Sequence, residues 1–123
     1  MSNKKKILII EDDRTLVEAL RLEFEENGFV VKVFMEGKGA YEKVLKEKPD
    51  LIILDLVLPG VHGFEILEKI KNDVLIKDIP VVIATNLGEE SDREEAIRLG
   101  AMDFYVKASV GLGELSKKIC NYI

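Results

Sequence analysis

Acidic, hydroxyl and basic side chains stand at the ends of four apolar segments of the sequence, and together they are suited to phosphoryl chemistry. Glu11 and Asp12 follow the first apolar segment, and Asp55 follows the third. Thr85 ends the fourth segment, and Lys107 follows the fifth. Crowded carboxylates repel one another unless a cation joins them, and Mg²⁺ accepts carboxylate, water and phosphate oxygens as ligands. A carboxylate can also act as the nucleophile that accepts a phosphoryl group.

Phosphoryl transfer depends on groups that position the reactants and neutralise charge on the transferred oxygens. The Lys107 ammonium and the Thr85 hydroxyl suit that task, and Asp55 is the candidate nucleophile. Each residue also has an ordinary structural explanation: Asp12 and Asp13 would cap a helix, Thr85 would be a common strand residue, and Lys107 a solvated one. All of these explanations would have to hold at once, at the ends of four strands, so we favour a functional site.

The segments that carry these residues have the pattern of a parallel α/β sheet. The run from Leu51 to Leu54 is continuously apolar and branched, as in a strand buried on both faces. We predict the other strands at 6–10, 29–34, 79–84 and 102–106. We predict helices at 37–48 and 89–99 and along apolar stripes that begin at Leu16, Phe64 and Leu112. This alternation predicts a doubly wound sheet, whose ligands bind beyond the carboxyl ends of the strands.

Length and composition indicate one globular domain, over residues 1–123. The 123 residues are 47% hydrophobic and 33% charged, with a net charge of −5, which argues against a nucleic-acid-binding surface. We identify no signal peptide and no segment long enough to span a bilayer, so we expect a cytoplasmic protein. The single cysteine, Cys120, can form no internal disulfide, and we interpret it as an inert residue in or near the core.

The motifs together resemble the receiver domain of bacterial two-component response regulators, of the chemotaxis-regulator type. The resemblance covers essentially the whole chain. It implies an α/β fold of the flavodoxin-like kind, a five-stranded parallel sheet in the order 2-1-3-4-5 with five helices. The motifs that carry it are Glu11-Asp12-Asp13, Leu54-Asp55-Leu56-Val57-Leu58-Pro59-Gly60, Gly63-Phe64-Glu65, Thr85, Gly100-Ala101-Met102-Asp103-Phe104 and Lys107.

The resemblance implies roles for these residues and a cofactor, Mg²⁺. Asp55 would be the phosphoacceptor. The side chains of Asp12 and Asp55, the backbone carbonyl of Val57 and, through water, Glu11 would hold the Mg²⁺ ion. Lys107 would contact the phosphoryl oxygens.

The resemblance also implies a switch and partners. Thr85 would contact the phosphoryl oxygens, Phe104 would take the position of the switch aromatic, and Tyr105 should face the other side of its strand. The phosphoryl group would come from a sensor histidine kinase or phosphotransfer protein and would be lost by hydrolysis. We expect a stand-alone receiver that signals to an effector protein through its fourth helix, fifth strand and fifth helix. It would be no enzyme beyond its own phosphorylation and dephosphorylation. We expect no direct contact with nucleic acid or membrane, and a monomer or weak dimer.

The residues after Lys107 depart from the family pattern. The family usually has a cis proline there, whereas Ala108 follows in this sequence. A cis bond before a non-proline residue costs roughly 2.5–4 kcal/mol, so we expect a trans bond and a re-routed loop. Ser109 is the predicted N-cap of the last helix, and Gly111 and Gly113 should weaken the start of that helix.

Three other positions also depart from the pattern. Asn86 replaces the small residue that usually follows the threonine, and it would obstruct the phosphodonor or orient water. Phe104 replaces the commoner tyrosine and has no hydroxyl. His62, the only histidine, stands where receivers often carry aspartate, and we interpret it as a loop residue.

Two other classes of protein, a cofactor binder and a phosphohydrolase, fit the sequence less well. A third class, an interaction module, remains an alternative. A flavodoxin-like cofactor binder would need a loop that cradles phosphate, and the acidic residues at 11–13 would repel it. A phosphohydrolase with an aspartate nucleophile would need a second aspartate where Val57 stands. A receiver-fold interaction module that is independent of phosphorylation remains an alternative, because Asn86 and Ala108 depart from the pattern.

Overall fold

The protein is described over residues 4–123 by a computed structural model, in which helices cover both faces of a parallel sheet. The sheet has the order β2-β1-β3-β4-β5, which confirms the predicted topology. Its strands are β1 (Lys6–Ile10), β2 (Val30–Phe34), β3 (Leu51–Leu54), β4 (Val81–Thr85) and β5 (Asp103–Val106). The helices are α1 (Arg14–Glu26), α2 (Ala40–Glu47), α3 (Gly63–Lys71), α4 (Glu90–Arg98) and α5 (Leu112–Tyr122), with a short 3₁₀ helix at Lys107–Ser109.

The strands divide their side chains between two cores, one on each face of the sheet. Alternate residues of a strand point to opposite faces, so Leu8 and Ile10 enter one core while Ile7 and Ile9 enter the other. The first, which we call the α2–α4 core, lies under α2, α3 and α4. The second, the α1–α5 core, lies under α1 and α5. Every residue of β3 is buried, as its continuous apolar run predicts.

Several boundaries differ from the sequence prediction, the largest at α2. This helix begins at Ala40 rather than at residue 37, because Gly39 has a φ of 87°, which no right-handed helix accepts. Strand β4 begins at Val81 rather than at residue 79. The Pro80 carbonyl still accepts a hydrogen bond from the Ile52 N–H at 3.0 Å, but proline has no N–H to continue the ladder. Strands β2 and β5 each begin one residue later than predicted.

Two further features bear on the sequence predictions. Cys120 is half-buried on α5. Across residues 4–123, no helix combines the length and the apolar character that a bilayer span requires.

Candidate functional site

The carboxyl ends of β1 and β3 bring two acidic residues side by side. Ile10 pairs with Leu54 in the parallel register, and the Asp55 N–H donates to the Ile10 carbonyl at 3.0 Å. On the other side of β1, the Glu11 N–H donates to the Phe34 carbonyl at 3.1 Å. Backbone hydrogen bonds therefore hold both Glu11 and Asp55 just beyond the last residue of their strands.

Lys107, which follows β5, joins these two carboxylates. Its Nζ lies 3.0 Å from Asp55 Oδ2 and also pairs with Glu11 Oε1. The exposed fractions of Glu11 and Asp55 are only 3% and 5%, and that of the Lys107 side chain is 15%. Buried charges of this kind persist only with direct partners. The structure thus brings three of the predicted site residues into one contact network.

Burial and neighbouring charge shift the pKa of both Glu11 and Lys107. Burial raises the pKa of the Glu11 carboxyl to about 7, with a further contribution from the Asp55 charge, although the Lys107 hydrogen bond opposes the shift. Burial alone would lower the pKa of Lys107, but its bonds to Glu11 and Asp55 outweigh that effect and raise it. The ammonium is therefore the stable form of Lys107, and the carboxylates depend on it for compensation.

Asp12 completes an acidic cluster that fits a hard cation. Glu11, Asp12 and Asp55 each offer an oxygen, and these atoms lie within 4.8 Å of one another. By formal charge, the three carboxylates and Lys107 together carry −2, and the raised pKa of Glu11 makes this an upper limit on the negative charge in the absence of a cation. Mg²⁺ prefers oxygen ligands and commonly takes one or two carboxylates with water and phosphate oxygens. The donor set and its charge therefore suit Mg²⁺.

Asp13 caps helix α1 rather than joining the acidic cluster. Its Oδ1 accepts a hydrogen bond from the Leu16 N–H at 3.3 Å, which makes it the N-cap of α1. Its own N–H donates to Glu11 Oε2 at 3.0 Å and so orients that carboxylate. Of the two candidate caps, Asp13 serves the helix, and Asp12 is exposed to solvent beside the cluster.

An open cavity of about 250 Å³ gives access to the cluster. Asn86 and Val57 line it, and the Val57 N–H donates to Asp55 Oδ1 at 3.3 Å. A role for the Val57 carbonyl as a metal ligand stays a prediction. The cavity is lined by Glu11, Asp12, Asp13, Asp55, Val57, Asn86 and Lys107.

The backbone at the start of α3 packs closely against the backbone of Asp55 and Leu56. The Gly63 N–H, at the start of α3, donates to the Leu56 carbonyl at 2.8 Å. A Cβ atom added at Gly63 would lie 2.5 Å from the Asp55 carbonyl oxygen and 2.6 Å from Leu56 Cα. Only glycine allows α3 to begin this close to the end of β3. Gly63 therefore helps to set the position of the loop that carries Asp55.

Thr85 lies apart from the cluster. It is fully buried, and its Oγ1 accepts a hydrogen bond from the Leu87 N–H at 3.3 Å. Among residues 4–123, no hydrogen bond joins Thr85 to Asp55 or Lys107. The next residue, Asn86, faces the cavity instead. The predicted contact between Thr85 and a phosphoryl group stays a prediction.

The aromatic residues of β5 point to opposite faces, as the strand period predicts. Phe104 is buried in the α2–α4 core, with the guanidinium of Arg93 5.2 Å above its ring centroid. Tyr105 lies in the α1–α5 core, and its hydroxyl bonds to Asp103 and Tyr122 at 2.8 Å each. Phe104 thus occupies an inward position, between β5 and α4.

The loop after Lys107 confirms one prediction and corrects another. No cis peptide bond occurs in residues 4–123, so the Lys107–Ala108 bond is trans. Ser109 is not the N-cap of α5: it ends a 3₁₀ helix, and the cap is Gly111, which has no side chain to bond the first turn. The chain forms this 3₁₀ helix at Lys107–Ser109 before α5 begins at Leu112, so Ser109 lies too early to cap α5.

His62 has a structural role that the sequence analysis missed. It is the N-cap of α3, and its Nδ1 accepts a hydrogen bond from the Phe64 N–H at 3.0 Å. Histidine is not among the preferred N-cap residues, so its type carried no signal. The position just before Gly63 and the apolar stripe of α3 was the available clue.

The comparisons with known proteins agree with this fold. Residues 7–119 match the family described as the response regulator receiver domain. The chain therefore belongs to the receiver-domain family of two-component response regulators.

Its relatives include transcriptional regulators. The chain is 36% identical over 102 residues to the phosphate regulon transcriptional regulatory protein PhoB of Rhizobium meliloti, covering 83% of this chain and 45% of that one. It is 37% identical over 116 residues to the transcriptional regulatory protein CrdR of Helicobacter pylori, covering 94% of this chain and 54% of that one. The chain thus spans about half the length of the curated relatives it matches.

Solved structures show the same fold. A two-component response regulator from Clostridium difficile superposes with a TM-score of 0.87 at 28% identity, covering 96% of this chain and 94% of that one. A CheY-like receiver domain protein from Methanospirillum hungatei superposes with a TM-score of 0.89 at 24% identity, with coverages of 98% and 94%. The second likeness concerns the fold alone.

Proposed function

We propose that this receiver domain takes a phosphoryl group onto the Asp55 carboxylate with the help of Mg²⁺. The observation that carries the proposal is the Lys107 ammonium, 3.0 Å from Asp55 Oδ2 within a cluster of carboxylates. A cation held beside a nucleophilic carboxylate stabilises the charge on the transferred oxygens. Asp55 is the phosphoacceptor in this proposal, and Lys107 is its fixed charge partner.

The chemistry proposed for Asp55 has two steps, transfer and hydrolysis, and each step forms one bond to phosphorus and breaks another. A carboxylate oxygen of Asp55 attacks the phosphorus of a phosphohistidine. The phosphorus–nitrogen bond then breaks, and its electron pair returns to the imidazole. The product is an acyl phosphate, and the Lys107 ammonium would contact its phosphoryl oxygens. Later, water attacks the phosphorus and restores the carboxylate with release of inorganic phosphate.

Asp12 and Asp55 are the proposed side-chain ligands of Mg²⁺, with the Val57 carbonyl as a backbone ligand and Glu11 acting through water. When bound, Mg²⁺ supplies positive charge to the phosphoryl oxygens. Asp13 supports this arrangement, because its N–H orients the Glu11 carboxylate at 3.0 Å. In the proposed phosphorylated state, Thr85 turns its hydroxyl from the Leu87 N–H toward the phosphoryl oxygens, and Phe104 packs behind it.

The proposed partners are a histidine kinase or phosphotransfer protein upstream and an effector downstream. PhoB and CrdR are described as transcriptional regulatory proteins, and each is about twice as long as the segment that matches this chain. We propose that phosphorylation acts on an effector through α4, β5 and α5, since Lys107 and Phe104 both belong to β5 or follow it. Cytoplasmic signalling is part of the same proposal.

Two observations favour a second candidate function, a receiver-fold interaction module that is independent of phosphorylation. Thr85 already uses its hydroxyl on the Leu87 N–H, and Asn86 stands in the cavity that leads to Asp55. In this alternative the acidic cluster would serve stability alone. A gain of one phosphoryl group that depends on Mg²⁺ separates the two functions, because only the phosphoryl-accepting site would produce it.

Intact-mass measurement tests the proposed function directly. The protein is incubated with an acyl phosphate or a phosphoramidate, with Mg²⁺ or with a chelator. We expect a gain of one phosphoryl group that depends on Mg²⁺, is absent in Asp55→Asn and is retained in Asp78→Asn, a control on an exposed loop. A gain in Asp55→Asn would refute Asp55 as the acceptor. No gain with either donor, together with no Mg²⁺ binding, would favour the interaction module.

A further inference from the structure

A furrow between α2 and α3 lies outside the acidic site. It is an open surface depression of about 740 Å³, lined by residues of α2 and α3 and of the turn that follows α3. We call it the α2–α3 furrow and define it by Tyr41, Glu65, Glu68, Lys69, Asp73 and Val74. It contains none of the residues proposed above for phosphoryl transfer.

Tyr41 contacts two other residues of the furrow, Asp73 and Lys69. The Tyr41 hydroxyl bonds to the Asp73 carboxylate, and Lys69 Nζ lies 5.9 Å from the centroid of the Tyr41 ring. These contacts tie α2 to the end of α3. The three carboxylates of the furrow outnumber its one lysine, so the formal charge of the furrow is acidic.

Two exposed carboxylates on α3 supply that charge. Glu65 and Glu68 are three residues apart, and such residues lie on the same side of a helix. Within the described residues 4–123, neither forms an ion pair at 4.0 Å or less. The α2–α3 furrow thus presents a pair of adjacent carboxylates to solvent.

Two apolar side chains project at the end of the furrow. Val74 and Leu75 are 78% and 73% exposed, in a chain whose other aliphatic residues are mostly buried. Single exposed apolar residues are common, whereas adjacent ones next to a furrow are typical of binding surfaces. Val74 lines the furrow together with the carboxylates, and Leu75 follows it in the same turn.

The turn that carries Val74 and Leu75 is held in place from several directions. The Leu75 N–H donates to Asp73 Oδ1 at 2.8 Å, and the next residue, Ile76, is 1% exposed and anchored in the α2–α4 core. Lys71 Nζ donates to the Lys77 and Ile79 carbonyls at 2.9 and 2.8 Å. A surface that is ordered before binding loses little conformational entropy on binding.

We propose that the α2–α3 furrow docks a basic amphipathic helix of a partner protein. Charge complementarity selects this occupant: its lysines or arginines would meet Glu65 and Glu68, and its aliphatic residues would meet Val74 and Leu75. Amphipathic helices bind grooves in this manner, with anchors at helical spacing. The nine residues of α3 span roughly 13 Å, which corresponds to between two and three turns of a partner helix.

The test uses a synthetic helix in place of the unidentified partner. The probe is a peptide of about 14 residues with leucines on one face and lysines beside them, and the matched peptide has glutamate at every lysine position. Binding to the full chain is followed by ¹⁵N–¹H amide shifts. We expect the lysine peptide to shift amides of α3 and of residues 73–76, and the glutamate peptide to leave them unchanged.

Variants of the protein complete the test. Val74→Ser combined with Leu75→Ser, and separately Glu65→Lys combined with Glu68→Lys, should each weaken the lysine peptide about tenfold. The controls are Leu22→Ser and Glu25→Lys, both on α1, where the Leu22 side chain is 62% exposed. Both controls should bind the lysine peptide with an affinity within about twofold of wild type. Equal losses in the controls, or shifts located elsewhere, would overturn the proposal. Concentration-dependent shifts of the same amides without peptide would identify a second copy as the occupant and overturn it too.

Discussion

Lys107 and Asp55 are 52 positions apart in the sequence, yet Lys107 Nζ and Asp55 Oδ2 are 3.0 Å apart. Asp55 follows β3 and Lys107 follows β5, with β4 between these strands in the sheet. The lysine side chain therefore reaches across the end of β4. This geometry makes Lys107 the residue that connects chemistry at Asp55 to the outermost strand of the described sheet.

Lys107→Met should remove this charge partner while keeping a similar side-chain volume. We expect phosphorylation of Asp55 by a small donor to slow by about 10²-fold or more, since a fixed donor to developing charge is lost. The pKa of the Glu11 carboxyl should also rise further, because the Lys107 hydrogen bond that lowers it is gone. A time course of intact mass measures the rate. Lys117→Met, on the exposed side of α5, should keep the wild-type rate. If both variants react at the wild-type rate, Lys107 has no part in the transfer.

Asp103 should make the stability of the fold depend on acid pH. Burial alone would raise the pKa of its carboxyl, but hydrogen bonds from Tyr122, the Phe104 N–H and Tyr105 outweigh burial and hold that pKa below its usual range. A pKa that is lower in the folded state contributes stability above the unfolded-state value, and this contribution is lost as the pH falls through the folded-state value.

The measurement for Asp103 is urea unfolding at a series of pH values. Between about pH 5 and pH 2, we expect the free energy of unfolding to fall more steeply in the wild type than in Asp103→Asn. Asp78→Asn, on an exposed loop, should follow the wild type. Parallel pH profiles for wild type and Asp103→Asn would show that this carboxylate does not contribute.

Gly63→Ala should disturb both stability and the acidic site. The added Cβ would lie 2.5 Å from the Asp55 carbonyl oxygen and 2.6 Å from Leu56 Cα. Both neighbours are backbone atoms that cannot turn aside. We expect a loss of about 1–3 kcal/mol in the free energy of unfolding and weaker Mg²⁺ binding.

Gly113→Ala is the matched control for Gly63→Ala. Gly113 lies in the first turn of α5, and a Cβ added there meets nothing within 4 Å. Alanine should stabilise the protein by about 0.4–1 kcal/mol, because glycine loses more backbone entropy on folding. Denaturant unfolding measures both variants. Equal stability of the two would mean that the loop at Leu56 adapts without cost.

Asn86→Ala should speed the reactions at Asp55. Asn86 lines the open cavity above the carboxylate, where a smaller residue would leave more room for a donor or for water. We expect both phosphorylation by a small donor and loss of the phosphoryl group to become severalfold faster. Asn121→Ala, on the exposed side of α5, is the control. Unchanged rates in Asn86→Ala would remove this residue from the mechanism.

The topology and much of the candidate site follow from rules that act along the whole sequence. Continuous apolar runs that alternate with helical stripes predict a parallel sheet, and a parallel sheet places the carboxyl ends of its strands at one edge. Glu11, Asp55 and Lys107 all follow strand ends, so their meeting was predictable without any knowledge of side-chain conformation. The opposite directions of Phe104 and Tyr105 follow in the same way from the strand period.

Some local details could not be predicted from the sequence, because they depend on competition between hydrogen bonds. Ser109 has a preferred cap side chain, but the 3₁₀ helix that includes it delays α5 until after Gly111. Thr85 could direct its hydroxyl to the cavity or to a nearby backbone group, and in the structure it bonds to the Leu87 N–H. Residue type alone does not decide such choices, because the competing bonds are of similar strength.

The shortness of β5 and its place in the described sheet have a mechanical consequence. The strand has four residues and pairs on one side, with β4, so displacing it disturbs a single ladder of hydrogen bonds. Its own residues Phe104 and Tyr105 are embedded in different cores. A displacement of Lys107 that shifted β5 would therefore move side chains in both cores at once. Because α4 packs on one core and α5 on the other, a single displacement of β5 would affect both helices. A protein bound to either helix would then respond to the same displacement.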